Sequence, residues 1–185
     1  MKASSHKLSP ALWEARKEEC RRAARRLLDN TFVSKPGDIN VEAIAFEAGC
    51  LCIEEGGLDG ADGRLVADGK VGGKIRVRAG MPRPRFRFTV AHEIGHCCLH
   101  AGGFIDRTDS GKTFGIWNDP GEEAEANVFA GELLLPHDLL VPNVRGKSPS
   151  IKLIETVAAE FLTSPKTSEE GKSGGVSAKV AGFWA

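Results

Sequence analysis

The ten residues Arg87-Phe88-Thr89-Val90-Ala91-His92-Glu93-Ile94-Gly95-His96 constrain this chain more than any other stretch. Within them, His92-Glu93-Ile94-Gly95-His96 reads H-E-x-x-H. On a helix, residues four apart stand one above the other, so both imidazoles face one way and can hold a single metal ion. Glu93, three residues before His96, reaches the same side. Zinc suits such a donor set, because its catalytic sites use three protein ligands with nitrogen or oxygen donors and leave the fourth position to water. The ion lowers the pKa of that water towards neutrality, and Glu93 is placed to accept its proton. A buried helix with two structural histidines would carry the same five letters. The metal reading therefore needs a helix here, a third ligand and a chain able to form a cleft.

The helix is predicted from its neighbours. Phe86-Arg87-Phe88 alternates as a strand does, and Thr89 is the expected N-cap. Val90, Ile94 and Cys97 or Cys98 form an apolar stripe at helical spacing, and Gly102 and Gly103 supply a stop. A glycine inside a helix costs about 1 kcal/mol against Ala, so Gly95 between the two histidines predicts an element packed closely against that turn. The pattern that places a third histidine six residues beyond the second is excluded, since Leu99 and Gly102 stand at its remaining positions. A Glu on a second helix is the alternative, and Asp119-Pro120-Gly121-Glu122-Glu123-Ala124-Glu125-Ala126-Asn127 offers several. With Asp119 as N-cap and Pro120 as first helical residue, Glu122 falls at the third position and folds back as a capping-box carboxylate. Glu123 shares a face with the small residues Ala126, Asn127 and Ala130 and is the candidate ligand. Asn127, one turn on, is placed to hold a ligating imidazole from behind. Glu125 points elsewhere and reads as a solvated surface charge.

Three stretches together resemble the ImmA/IrrE family of metallopeptidases. They are the run from Arg87 to His96, the run Glu123-Ala124-Glu125-Ala126-Asn127-Val128-Phe129-Ala130-Gly131-Glu132-Leu133-Leu134-Leu135-Pro136, and the upstream Asp59-Gly60-Ala61-Asp62-Gly63-Arg64-Leu65-Val66. The similarity extends from about Ile39 to Phe161. It implies a zincin-like core of the gluzincin type, zinc on His92, His96 and Glu123, and Glu93 as general base. It also implies proteolysis of a helix-turn-helix repressor, usually in response to DNA damage or stress, in bacteria and their mobile elements. Similar proteins continue beyond Ser164 with a helical segment carrying an Arg, for which this chain shows no counterpart.

The remaining sequence predicts an α+β domain: a small, mainly antiparallel sheet with helices packed on it. Ser9 and Pro10 open a helix to about Leu28, with Trp13, Cys20, Ala24, Leu27 and Leu28 facing inward. Its other face carries Arg21, Arg22, Arg25 and Arg26 interleaved with Glu14, Glu18 and Glu19, the pattern of a solvated helix. Asp38 or Asn40 caps a second helix with the stripe Val41, Ile44, Ala45 and Ala48, which Gly49 ends. Strands are predicted over Cys50–Ile53, Gly63–Ala67 and Lys74–Arg78. In the last, Ile75 and Val77 alternate with Arg76 and Arg78, as in a sheet with one solvated face. Residues 101–118 lack periodicity and read as a long functional loop, with Phe104, Phe114, Ile116 and Trp117 as anchors or substrate contacts. The helix bearing Glu123 should stop at Pro136. Ser150 opens a last helix with the stripe Ile151, Ile154, Val157, Ala158 and Phe161. A single domain over 1–163 and a disordered polar tail over 164–185 follow.

Several function classes are set aside. The 25 Lys and Arg balance 25 Asp and Glu, so no basic field draws nucleic acid to the chain, and no recognition helix is evident. No apolar run approaches a membrane span and the N-terminus lacks a signal-peptide core, so no membrane association is expected. The five cysteines are odd in number and follow no disulfide framework, which points to a reducing cytoplasm. Peptide deformylases complete H-E-x-x-H with a cysteine from an E-G-C-L-S segment. The matching Ala48-Gly49-Cys50-Leu51-Cys52 lacks both the Glu and the Ser, so Cys50 and Cys52 read as apolar strand residues, and Cys97 and Cys98 as packing beneath the site. His100, one turn beyond His96, is read first as a cation at the helix end and second as a partner of the metal site. The expected activity is zinc-dependent endopeptidase cleavage of a helix-turn-helix repressor. The rival is a non-catalytic repressor-binding regulator with a structural or vestigial zinc site. The chain contains no Tyr, so His100, an Arg or a backbone N–H must stabilise the oxyanion.

Overall fold

A computed structural model describes residues 9–67, 72–100, 105–109 and 120–163. In chain order it contains α1 (Pro10–Asn30), a single 3₁₀ turn (Pro36–Asp38), α2 (Val41–Glu47), β1 (Cys50–Gly56), β2 (Gly63–Ala67), β3 (Gly73–Arg78), α3 (Arg83–His100), β4 (Ile105–Asp109), α4 (Glu122–Leu134), α5 (His137–Val144) and α6 (Ile151–Glu160). The described residues thus form an α+β fold. The four strands lie in the order β1-β3-β2-β4. β2 pairs antiparallel with both β3 and β4, whereas β1 and β3 run parallel. The sheet is therefore mixed, with antiparallel pairings in the majority as expected.

Local chemistry sets most of these boundaries. Ser9 Oγ accepts from Leu12 N at 3.3 Å, and Pro10, whose missing N–H costs nothing at a first position, starts α1. Asn40, not Asp38, caps α2: its Oδ1 accepts from Glu42 N at 3.0 Å and Ala43 N at 3.1 Å. Gly49 follows with φ at +86°, a left-handed conformation that L side chains rarely adopt. In β3, Ile75 and Val77 are buried while Lys74 and Arg78 are exposed, so the predicted alternation holds. Asp62, just before β2, accepts from Arg78 on β3 and Arg85 on α3, tying the sheet to the helix beneath it.

The structure corrects the sequence reading at several boundaries. α3 begins at Arg83, so Phe86-Arg87-Phe88 is helical and Thr89 is a buried mid-helix residue rather than its N-cap. Pro82 precedes the helix and Pro84 sits in its first turn, the two places where proline starts a helix without breaking a hydrogen bond. Arg87 is buried on this helix, where its Nη1 donates to the Ile39 carbonyl at 2.7 Å, and that burial gives the apparent alternation. β4 interrupts the stretch read as a loop, pairing Gly63 with Asp109 and Leu65 with Arg107. α4 starts one residue after its N-cap Gly121, so Glu122 is its first residue and not the third, and no capping box forms there. Pro136 ends α4 by capping α5, a helix hidden in the sequence by Pro142 inside it. In α6 the inward residues are Leu153, Val157 and Ala158, while Ile151 is 69% exposed. Asp119, Gly102, Gly103, Phe104, Phe114, Ile116, Trp117 and the tail 164–185 lie outside the described residues.

The close packing expected of Gly95 is found at the crossing of α3 and α4. A Cβ there would stand 3.1 Å from Ala126 Cα, 3.2 Å from the Ala126 carbonyl oxygen and 3.2 Å from Phe129 Cδ1. Two of these atoms are backbone and cannot swing aside. Gly95→Ala would gain about 1 kcal/mol of helix propensity, but overpacking costs on the order of 1–3 kcal/mol. The variant is expected to be less stable than the parent in urea unfolding; a more stable variant would show that the crossing has slack.

Candidate metal centre

α3 and α4 bring three donors to one point. His92 and His96 stand one turn apart on the buried face of α3, with their Nε2 atoms 3.0 Å from each other. Glu123, second residue of α4, reaches them from the helix N-terminus, where the backbone N–H groups favour a carboxylate. Its Oε2 is 3.3 Å from His92 Nε2 and its Oε1 is 3.6 Å from His96 Nε2. The three residues are the one group of this kind among the described residues, their donor atoms all within 4.8 Å. Two ligands each at 2.0–2.1 Å from a tetrahedral zinc lie about 3.3 Å apart. The separations of 3.0, 3.3 and 3.6 Å bracket that value, so the donor set fits such an ion in both chemistry and size.

The surroundings tune these donors. Burial is the largest effect on His96: it lowers the imidazolium to about 4, with Glu123 pushing up and His92 down, so at neutral pH the ring is uncharged and has a lone pair to give. Burial pushes the Glu123 carboxyl up, but hydrogen bonds to His92 and His96 outweigh it and hold the group well below the usual carboxylate range. His92 Nδ1 donates to Asn127 Oδ1 at 2.9 Å, which leaves Nε2 as the lone-pair nitrogen and places Asn127 where the helix register predicted.

Glu93 is fully buried on the same turn, and β2 makes room for it. A Cβ at Gly63 would overlap Glu93 Oε1 and come 2.8 Å from Thr89 Cγ2. Gly63 lies in β2 without a positive φ, so close approach, not backbone freedom, demands glycine at this position. The sequence showed Gly63 as the residue opening a strand and as part of the family-like stretch from Asp59 to Val66, without its contact with Glu93.

One partner of the site was missed, and two were misjudged. Arg107, on the edge strand β4, donates through Nη1 to Glu123 Oε1 at 3.0 Å and through Nη2 to Glu122. Its Nη1 also lies 3.0 Å from His96 Nδ1. Nothing in Ile105-Asp106-Arg107-Thr108-Asp109 marks this arginine, since strand pairing alone brings it there. Glu125 is not a solvated charge: it is buried between helices, held by Arg16 Nη2 at 2.6 Å and His100 Nε2 at 3.0 Å. His100 correspondingly faces inward, with its Nδ1 3.0 Å from His96 Nδ1, so the helix-end reading gives way to contact with the site. The basic face of α1 is likewise only partly solvated, because Arg16 and Arg25 reach Glu125 and Glu132 on α4.

The cysteines stay outside the donor group. Cys50 is buried at the start of β1, and the Cys97 thiol donates to the Ala48 carbonyl at 3.7 Å. Cys98 is exposed rather than packed beneath the site, since it lies on the outward face of the last turn.

A family model described as the IrrE N-terminal-like domain, a peptidase family, matches residues 57–169, more than half of the chain. The match spans α3 and α4 with His92, Glu93, His96, His100, Arg107, Glu123, Glu125 and Asn127, whereas Arg16, Arg25, Ala48 and Cys50 precede it. No curated protein matches the chain.

Proposed function

This chain belongs to the peptidase family of IrrE N-terminal-like domains, and from that premise we propose that it is a zinc-dependent endopeptidase with a zincin-like core. The observation that carries the proposal is the triangle of His92 Nε2, His96 Nε2 and a Glu123 carboxylate oxygen, whose edges suit one tetrahedral zinc. These three residues would hold the ion, and Asn127 would orient His92. When bound, zinc would supply Lewis acidity towards a peptide carbonyl and towards water.

The chain's own groups do the rest. Glu93, between the two histidines and above the space left by Gly63, takes a proton from the attacking water onto its carboxylate. It then delivers that proton to the nitrogen of the leaving amine. With no Tyr in the chain, Arg107 beside Glu123 is proposed to stabilise the charge on the former carbonyl oxygen.

The resemblance to ImmA/IrrE proteins supports a helix-turn-helix repressor as substrate, in a bacterial stress or mobile-element response. No helix among the described residues is long and apolar enough to cross a membrane. The five free cysteines and the resemblance to ImmA/IrrE proteins support a cytoplasmic peptidase acting on a protein partner, with residues 1–163 as one catalytic domain. Incubation of the zinc-loaded chain with a repressor encoded beside its gene should yield discrete fragments, and a chelator should stop their formation. A repressor left intact by the zinc-loaded chain, yet released from its operator, would favour the non-catalytic regulator.

A further inference from the structure

His96 is joined through Nδ1 to a line of polar groups that the proposed reaction does not use. His100 Nδ1, one turn on, lies 3.0 Å away. His100 Nε2 lies 3.0 Å from Glu125 Oε2 on α4, and the same oxygen accepts from Arg16 Nη2 on α1 at 2.6 Å. Four side chains from three helices thus connect the candidate ligand to the outside of α1. The His100 and Glu125 side chains keep 9% and 12% of their exposure, and Arg16 keeps 33%.

Direction along this line is set by its far end. Arg16 Nη2 donates to Glu125 Oε2 in an ion pair at 2.6 Å, so Glu125 stands in this line as the accepting carboxylate. A carboxylate only accepts, so His100 Nε2–H is the donor to it. With its Nε2–H given to Glu125, His100 offers the Nδ1 lone pair, and the donor facing it is His96 Nδ1–H. The lone pair of His96 is then on Nε2, the atom in the ligand triangle.

We propose that His100 and Glu125 are positioning residues: a relay anchored by Arg16 that keeps the His96 proton on Nδ1 and presents Nε2 to the metal. This rests on the reading of His96 as a ligand. Arg107 defines the opposing arrangement, because its Nη1 also stands 3.0 Å from His96 Nδ1 and can only donate. A bond from Arg107 would force the His96 proton onto Nε2 and block the ligand atom, as would a doubly protonated His100. Arg107 has the carboxylates of Glu122 and Glu123 as acceptors, so its place does not depend on His96.

Imidazole ¹⁵N chemical shifts of the metal-free chain at neutral pH show which nitrogen of His96 is protonated, with no variant needed. The expected result is Nδ1–H in the parent and mixed tautomers in His100→Phe and Glu125→Ala. Zinc affinity, read by competition with a chromogenic chelator, should fall about 10–100-fold in both variants. His100→Gln, whose amide oxygen can accept from His96 Nδ1–H, should recover most of that loss. Melting temperatures of the metal-free variants separate this effect from loss of fold. A His96 proton on Nε2 in the parent overturns the relay, as does unchanged affinity in a folded His100→Phe. A parent that binds no zinc overturns the ligand reading instead, on which the tautomer measurement does not depend.

Discussion

Replacing Glu93 by Gln is expected to lower repressor cleavage by about 10²–10⁴-fold, the usual worth of a general base. Zinc content and fold should stay those of the parent. The substitution keeps the size and shape of the side chain in a place where both matter: Glu93 is fully buried, and its carboxylate lies in the space that Gly63 leaves open. Only the ability to take and return a proton is lost. The ligand triangle does not include Glu93, so zinc should remain at about one per chain, as three protein ligands and one open position require. Zinc content, melting temperature and cleavage are to be measured on the same preparations. A variant that cleaves as fast as the parent removes Glu93 from the mechanism. If parent and variant both leave the repressor intact but relieve repression equally in cells, the chain acts by binding.

The ligand set itself predicts sharp differences among neighbouring residues. His92→Ala, His96→Ala and Glu123→Ala should each lose zinc by more than the 10–100-fold that outer partners cost, because each removes one of only three donors. Glu122→Ala should keep it. Glu122 is 55% exposed and pairs with Arg107, an interaction of the surface class worth about 0–1 kcal/mol. The contrast between two adjacent glutamates tests the start of α4, since a helix shifted by one residue would exchange their roles. Metal analysis after dialysis reads the outcome. Full zinc retention in both histidine variants would dismiss the centre, and loss in Glu122→Ala with retention in Glu123→Ala would exchange the ligand.

The sequence is legible where the chemistry is local. His92 and His96 face one another because helical spacing places them so, and Asn127 falls behind His92 because it is one turn from Glu123. Caps at Ser9, Asn40 and Ser150, the ends of β2 and the inward alternation of β3 could be read from side chains acting on their own backbone. Misreadings cluster where a distant segment changed a residue's environment. Arg87 looked like the polar member of a strand because its burial against Ile39, 48 positions away, leaves no mark on neighbouring residues. The N-cap role given to Thr89 followed from that error, because proline at 82 and 84 starts the helix equally well about two turns earlier.

The sequence alone determined which side chains share a face of one helix or strand, because covalent geometry sets those periods. It also determined that something must lie close to Gly95. Only the tertiary structure decided what lies there, and what surrounds the ligand triangle. Arg16 meets Glu125 across 109 positions and Arg25 meets Glu132 across 107. Arg107 reaches Glu123 because β4 pairs with β2 beside the start of α4. Gly63 opens space for Glu93 because β2 runs over α3 at that residue. Such contacts depend on how elements cross, and crossing is set by packing of whole surfaces rather than by any residue's own preference.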